Sequence, residues 1–360
     1  MLNLEAFATG PDVSNVPAGL PVSLDDVYRA RDVIARHLDP TPTISHPVLG
    51  QMMGCTPHVK LENTHSIGSF KIRGGLTLLA NMSSEDRMRG LVTATRGNHG
   101  QSIARAAQVH GVGCTIYVPH GNNPDKNAAM RALGADVREQ GHDFDAAWGA
   151  AEDYSERTGA RSVHPAREPD LIAGVATAAL EMLEQVPQGL DAIFVPVGGG
   201  SIAAGTALVV KSLSPGTRVY GVQAENAPAM HHAWTTGEAR PFAVTGTIAD
   251  GLAVRVPVDY TLSFMQPMLD GMLLVSEDEI QDAIRAYATT IHHLAEGAAA
   301  TCLAAAMKMR HELEGQNVGL MLTGGNIDTK TLMHVLGGKR PEHPQRAMNM
   351  FPIEELSYGY

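Results

Sequence analysis

Cysteine is scarce in this 360-residue chain: Cys55, Cys114 and Cys302 are far apart and odd in number. That excludes a disulfide framework and a paired-cysteine metal site, and it suits a reducing cytoplasm. Basic residues are outnumbered, 27 Lys and Arg against 38 Asp and Glu, so the formal net charge is -11. Nucleic acid, a polyanion, is therefore not an expected partner. Long apolar runs are missing too. The Ala-rich stretch from Ala295 to Met309 is too short to cross a bilayer and carries Glu296 and Lys308, so no membrane association is expected. The opening Met1-Leu2-Asn3-Leu4-Glu5 lacks a basic region followed by an apolar run and does not read as a signal peptide. Internal repeats and low-complexity segments are also lacking. What remains, 44% hydrophobic and 18% charged, is an ordinary globular composition on a chain long enough for two packed domains.

Residues 1–22 hold three prolines and two glycines without periodicity and read as a loose arm. Ser23 then caps a helix with Asp25 and Asp26 in its first turn and Val27, Ile34 and Leu38 on its apolar side; Pro40-Thr41-Pro42 stops it. From Val59 onward β-rich runs alternate with helical ones. Strands are predicted at 91–95, 114–118, 136–139, 161–164, 192–197, 217–223, 272–275 and 318–322. Helices are predicted near 99–110, 125–133, 143–158, 170–185, 201–213, 278–294, 297–314 and 329–336. Such alternation means βαβ units and mainly parallel sheets, an α/β fold. Asn123-Pro124 marks one helix start as a cap before an N1 proline, and Ser276 with Glu279 marks another as a capping box. From Gly337 onward the chain reads as a tail.

Three stretches carry chemistry. In Glu62-Asn63-Thr64-His65-Ser66-Ile67-Gly68-Ser69-Phe70-Lys71-Ile72-Arg73-Gly74-Gly75, a strand turns through small polar residues into a helix. Lys71 then falls in the first helical turn, where its charge opposes the helix dipole. A desolvated lysine with a lowered pKa escapes that penalty and is a usable nucleophile. The plainer reading is a capped helix with a solvated lysine. Pro196-Val197-Gly198-Gly199-Gly200-Ser201 ends a strand and opens a helix, so its backbone N–H groups suit a phosphate. It fits neither G-x-G-x-x-G nor a Walker loop. Thr95-Arg96-Gly97-Asn98-His99-Gly100 links another strand to a helix and is a second candidate anion site. The plainer reading of His99 is a side chain bonded to local backbone.

With Gly97-Asn98-His99-Gly100-Gln101, Thr247-Ile248-Ala249-Asp250-Gly251 and Thr323-Gly324-Gly325-Asn326, these motifs occur in an order that resembles the serine/threonine dehydratase and serine racemase family. The resemblance runs from about residue 20 to residue 336 and implies fold type II: two open, mainly parallel sheets flanked by helices. It implies a large domain from 1–87 and 166–336, a small domain from 88–165, and a tail from 337–360. The implied cofactor is pyridoxal 5'-phosphate (PLP), carried covalently by Lys71. Phe70, Asn98, Gly198, Gly199, Gly200, Ser201 and Thr323 are implied at the cofactor, with Asn98 on the ring oxygen and Thr323 beside the ring nitrogen. Ser69, Thr95, Arg96, Gly97 and His99 are implied at an amino-acid substrate. A homodimer is expected on the same ground.

Departures from the family are informative. Ser201 stands where the phosphate loop usually has a fourth glycine. Arg96 replaces a small residue, in racemases the serine that serves as second acid/base, and a guanidinium does not shuttle protons. The family's regulatory cation site starts with a glutamate where this chain has Gln223, and the next acidic position is Ala229, so that site is expected to be missing or altered. The neighbours His231-His232 and His292-His293 are about 100° apart around a helix and do not chelate one metal together. The tail after Gly337 is too short for a regulatory domain of about 70 residues, so no isoleucine control is expected. The implied activity is elimination from a β-hydroxy-α-amino acid such as threonine or serine to a 2-oxo acid and ammonia. A bulkier or acidic substrate such as 3-hydroxyaspartate, or serine racemisation, is the alternative. From other classes, an NAD(P)-binding oxidoreductase lacks an acidic ribose partner at a convincing spacing and leaves Lys71 unexplained; a non-catalytic α/β binding module that retains the scaffold is the third reading.

Overall fold

Ten strands sort into two sheets in the computed structural model, which describes residues 16–338. They are β1 (Thr43–Ile44), β2 (Thr56–Leu61), β3 (Leu91–Ala94), β4 (Cys114–Val118), β5 (Asp136–Glu139), β6 (Arg161–Ser162), β7 (Ala192–Pro196), β8 (Arg218–Ala224), β9 (Gly271–Val275) and β10 (Asn317–Leu322). The larger sheet has the order β1-β2-β10-β7-β8-β9, and the smaller β5-β4-β3-β6. Only the β1–β2 pair is antiparallel. Parallel strands need crossovers, and helices supply them on the sheet faces. Hence β3, β4 and β7 are buried along their whole length and read as unbroken rather than alternating runs. The smaller sheet is formed wholly between Leu91 and Ser162, and the larger one by the chain on either side.

The caps read from the sequence form. Ser23 with Asp26 and Ser276 with Glu279 make capping boxes, and Asn123 accepts from two backbone N–H groups ahead of Pro124. Several boundaries differ. The first helix ends at Ile34, and Leu38, beyond it, packs against the core under the smaller sheet. The long helices expected at 278–294 and 297–314 stop at Thr290 and Lys308. His292 is left-handed at φ 59, so His292 and His293 lie in a loop and not on a helix. Helices Pro47–Met53, Ser84–Arg89, Ala229–Thr236 and Asp259–Met268 were not legible, being short or carrying Pro267 internally. Residues 16–22 are no loose arm: Val22 is buried, and Val16 and Leu20 pack on the larger core. The rest of the arm and the tail after Gly338 lie outside the described residues. No helix among the described residues is long and apolar enough to cross a membrane.

Candidate active site

Loops at the carboxyl ends of β3, β7 and β10 converge on a cleft of about 680 Å³, the usual place and size for a ligand in an open α/β sheet. The turn before Lys71 is tied to the loop after β10. Phe70 N–H donates to the Thr323 carbonyl at 3.0 Å, and Gly325 N–H to the Gly68 carbonyl at 2.9 Å. Gly68 has φ +67, and a Cβ there would stand 2.5 Å from Asn326 Oδ1. Two distant motifs are thereby fastened together, and the Lys71–Asn81 helix starts at the cleft wall.

Ser69 does not cap that helix, which removes the plainer reading of Ser-x-Lys. The N-cap is Phe70, without a side-chain bond, and the Ser69 hydroxyl is buried without a partner. Lys71 Nζ donates to Ser201 Oγ at 2.9 Å and lies 5.0 Å from the centre of the Phe70 ring. Desolvation by the surrounding wall lowers its pKa to about 8.

Gly198, Gly199, Gly200 and Ser201 line the same cleft. Gly200 has φ +88, and a Cβ on it would meet Thr261 Oγ1 at 2.6 Å; a Cβ on Gly198 would collide with the Gly251 carbonyl. That collision explains why the Thr247–Gly251 motif accompanies the glycine loop. Among the described residues, no backbone carbonyl accepts from the N–H groups of Gly198 through Ser201, which open the Ser201–Leu213 helix.

In the other loop, the Thr95 hydroxyl accepts from the N–H groups of Gly97 (2.9 Å) and Gly100 (3.2 Å), so Thr95 shapes the loop. Gly97 is needed because a Cβ would meet the Lys126 stem at 2.6 Å. His99 is buried, with Nε2 3.0 Å from Thr93 Oγ1 and Nδ1 unpartnered. Burial and the nearby Lys71 and His164 hold its pKa well below the ordinary value, so it is neutral. Asn98 joins Glu296 and Asn326 by its side-chain amide. Arg96 is exposed, lines the cleft, and has no ion-pair partner within 4.0 Å among the described residues. Thr323 is buried at the cleft edge.

Other cleft residues were not found by sequence reasoning. Glu296 and Lys126 are buried beside Asn98, Lys126 pairing with Asp250 at 2.5 Å. Trp148 packs edge-on to His164, which burial holds neutral at a pKa of about 4. Arg255 Nε donates to Asp145 at 2.9 Å across the cleft mouth. None of these follows a short motif; Lys126 alone has a signal, its place just inside a well-capped helix. Gln223 is fully buried, and its carbonyl accepts from His231 N–H at 2.9 Å. No cluster of three metal-ligating side chains occurs among the described residues.

Residues 34–324 match the family described as pyridoxal-phosphate dependent enzyme. The chain belongs to that family. Its cofactor is therefore PLP, and the site fits it: a lysine amine of lowered pKa stands beside a helix N-terminus whose loop N–H groups are uncommitted. Similar proteins include an L-threonine ammonia-lyase of Thermotoga maritima, 37% identical over 88% of this chain and 78% of that one. An L-threo-3-hydroxyaspartate ammonia-lyase of Saccharomyces cerevisiae is 32% identical over 87% of this chain and 96% of that one. The crystal structure of serine racemase from Dictyostelium discoideum, 32% identical, superposes with a TM-score of 0.78 over 85% of this chain and 99% of that one. The fold is accordingly that of the PLP enzymes of fold type II.

Proposed function

We propose that the protein is a PLP-dependent ammonia-lyase that converts a β-hydroxy-α-amino acid such as L-threonine or L-serine to a 2-oxo acid and ammonia. The observation that carries this is the Lys71 amine, of pKa about 8 and 2.9 Å from Ser201 Oγ, at the mouth of the glycine loop. Lys71 would anchor PLP covalently, and its free amine would be the base that takes the Cα proton. When bound, PLP draws electron density away from Cα. The N–H groups of Gly198 to Ser201 hold its phosphate, and Phe70, Asn98 and Thr323 hold its ring. Thr323 offers a hydroxyl rather than a carboxylate to the ring nitrogen and does not force it to be protonated, which suits elimination over a long-lived carbanion. Ser69, Thr95, Gly97 and His99 form or support the pocket for the substrate carboxylate. Water leaves from Cα and Cβ, and the released enamine takes up water to give the 2-oxo acid and ammonia. Residues 1–87 and 166–336 form the large domain, 88–165 the small one, and a cytoplasmic homodimer is the working state. The two separate sheets support the domain reading.

The test is borohydride reduction followed by peptide mass spectrometry, with a screen of hydroxy amino acids for 2-oxo acid release. The adduct is expected on Lys71, and Lys71→Ala is expected to lower elimination about a thousandfold or more. An adduct on another lysine overturns the assignment.

A second reading rests on Arg96. An exposed cleft guanidinium without an ion pair among the described residues binds a carboxylate by two parallel hydrogen bonds, which favours an acidic substrate such as 3-hydroxyaspartate. Arg96→Ala then weakens hydroxyaspartate turnover about ten- to a hundredfold and spares threonine. Equal losses on both substrates remove this reading. Racemisation stays weak in either case, because Arg96 stands in place of the second proton donor.

A further inference from the structure

Glu296 immediately precedes the Gly297–Lys308 helix, the usual place for a capping side chain, yet it makes no cap. Its carboxylate turns into the cleft instead. Oε1 accepts from Asn98 Nδ2 at 2.7 Å, and Oε2 is buried without a hydrogen-bond partner. The backbone is shaped for this. Glu296 N–H donates to the Gly324 carbonyl at 3.0 Å. A Cβ on Gly324 would stand 2.6 Å from Glu296 Oε1, and one on Gly297 would collide with the Ile248 carbonyl. The glycines of the Thr323–Asn326 motif and of the helix start thus leave room for this one side chain.

Asn98 is held from its other end as well. Its Oδ1 accepts from Asn326 Nδ2 at 2.8 Å, and Asn326 Nδ2 also donates to the Ile67 carbonyl at 2.9 Å. A backbone carbonyl can only accept, so Ile67 fixes which way the Asn326 amide faces. Asn326 then presents a donor to Asn98, and Glu296 presents an acceptor. Reversing the Asn98 amide would set its oxygen against the Glu296 carboxylate and its NH2 against the Asn326 NH2. The Asn98 NH2 has two hydrogens, and Glu296 uses one.

We propose that Glu296 is a positioning residue that locks the Asn98 amide in the one orientation that offers its second N–H to an acceptor oxygen on the PLP ring. The proposal rests on the placing of Asn98 against that ring. Glu296 acts through Asn98 and not on the reacting atoms, as outer partners do around metal ligands. Its ionisation bears on the lock, since a charged acceptor is roughly twice as strong as a neutral one. Burial raises the Glu296 pKa to about 7; Lys126 from the Pro124–Ala132 helix pulls it down and Asp250 pushes it up. Of the other ionisable groups near this network, His99 is neutral, Asp328 acts on Lys126, and Lys71 lines the same cleft. As pH falls through about 7 the carboxyl takes a proton and the bond to Asn98 weakens.

The experiment is titration of the full-length apo-protein with PLP, followed by absorbance, for wild type, Glu296→Ala, Glu296→Gln, Asn98→Ala and the double variant Asn98→Ala/Glu296→Ala. Glu296→Ala is expected to weaken PLP about tenfold. Glu296→Gln keeps an acceptor oxygen and is expected within about threefold of wild type at pH 8, without the extra loss that wild type shows below pH 7. The double variant is expected to bind no more weakly than Asn98→Ala, because the two residues act as one unit. Additive losses, or a Glu296→Gln profile that follows wild type through pH 7, would overturn the role of Glu296 alone. Wild-type affinity in Asn98→Ala would overturn it together with the placing of the ring. Where Glu296→Ala does not fold, the Glu296→Gln pH profile still decides.

Discussion

Two clusters of buried charge lie close to Lys71, and they are built on opposite terms. In one, Arg73 donates to Glu62 at 2.7 and 2.8 Å and to Glu181 at 2.6 and 2.7 Å. Lys60 donates to Glu181 at 2.8 Å, to the Thr41 carbonyl at 2.6 Å and to Gln185 at 3.0 Å, and His65 joins Glu62 at 3.1 Å. No polar side-chain atom of these residues is left buried without a partner. Burial pushes the Glu62 carboxyl up, but the Arg73 guanidinium and its hydrogen bonds outweigh that and hold it well below the usual range. In the other, Glu296, Lys126, Asp250 and Asn98 line the cleft with one carboxylate oxygen unpartnered and a carboxyl that titrates near 7. A fully paired network fixes geometry; a partly paired one keeps capacity for a ligand. The first ties β2 and the Pro169–Gln185 helix to the helix that begins at Lys71, so Lys71 stands on a rigid base.

Breaking the paired cluster should have the largest effect on folding. Arg73→Met removes four charge-assisted bonds and leaves the buried Glu62 with His65 and Glu181 with Lys60 as their remaining cationic or imidazole partners, and it is expected to cost about 3–5 kcal/mol in urea unfolding at pH 7. A loss below about 1 kcal/mol would show that the cluster is not the frame of the site. Lys126→Met in the unpaired cluster is expected to cost less than about 2 kcal/mol, because its partner Asp250 is 38% exposed. Without Lys126 the Glu296 carboxyl should move further above its ordinary value, readable by carboxyl NMR.

The pH dependence of Lys71 sharpens the contrast. Its neutral amine is the nucleophile, so capture of PLP by apo-protein should quicken about tenfold per pH unit up to about 8 and then level. The folded state binds fewer protons than the unfolded one between about 8 and the ordinary 10.5, so this group makes stability rise with pH across that window. A flat capture rate between pH 6 and 8 would count against a desolvated amine. The smallest effect on folding is expected from Ser69→Ala: its orphaned hydroxyl contributes within about 0.5 kcal/mol to stability, measured by urea unfolding.

The positions of the strands from β3 onward were legible along the chain because each buried parallel strand is a short apolar run with turn residues at its end, as in Ala192–Pro196 before Gly198. The glycine loop and the Asn98 loop were legible because backbone geometry asks for their residue types, a glycine at φ +88 and a hydroxyl that closes the Thr95 loop, whereas Lys71 stood out as a cation misplaced at a helix start within a recognisable motif. Glu296, Lys126, Trp148, His164 and the Arg255–Asp145 bridge were not. Each depends on a partner that folding brings from far along the chain, and no local spacing records it.

By itself the sequence determined the α/β class, through its alternation of strand and helix patterns, and pointed to the family through the order of its five motifs. Only the tertiary structure decided that the Ser69 hydroxyl is buried without a partner, that Arg96 stands exposed at the cleft without an ion pair among the described residues, and that the Asn98 amide is clamped between Glu296 and Asn326. Orientation and pairing of polar groups come from packing elements distant in sequence, and a short range of residues holds no information about what packing will set against it.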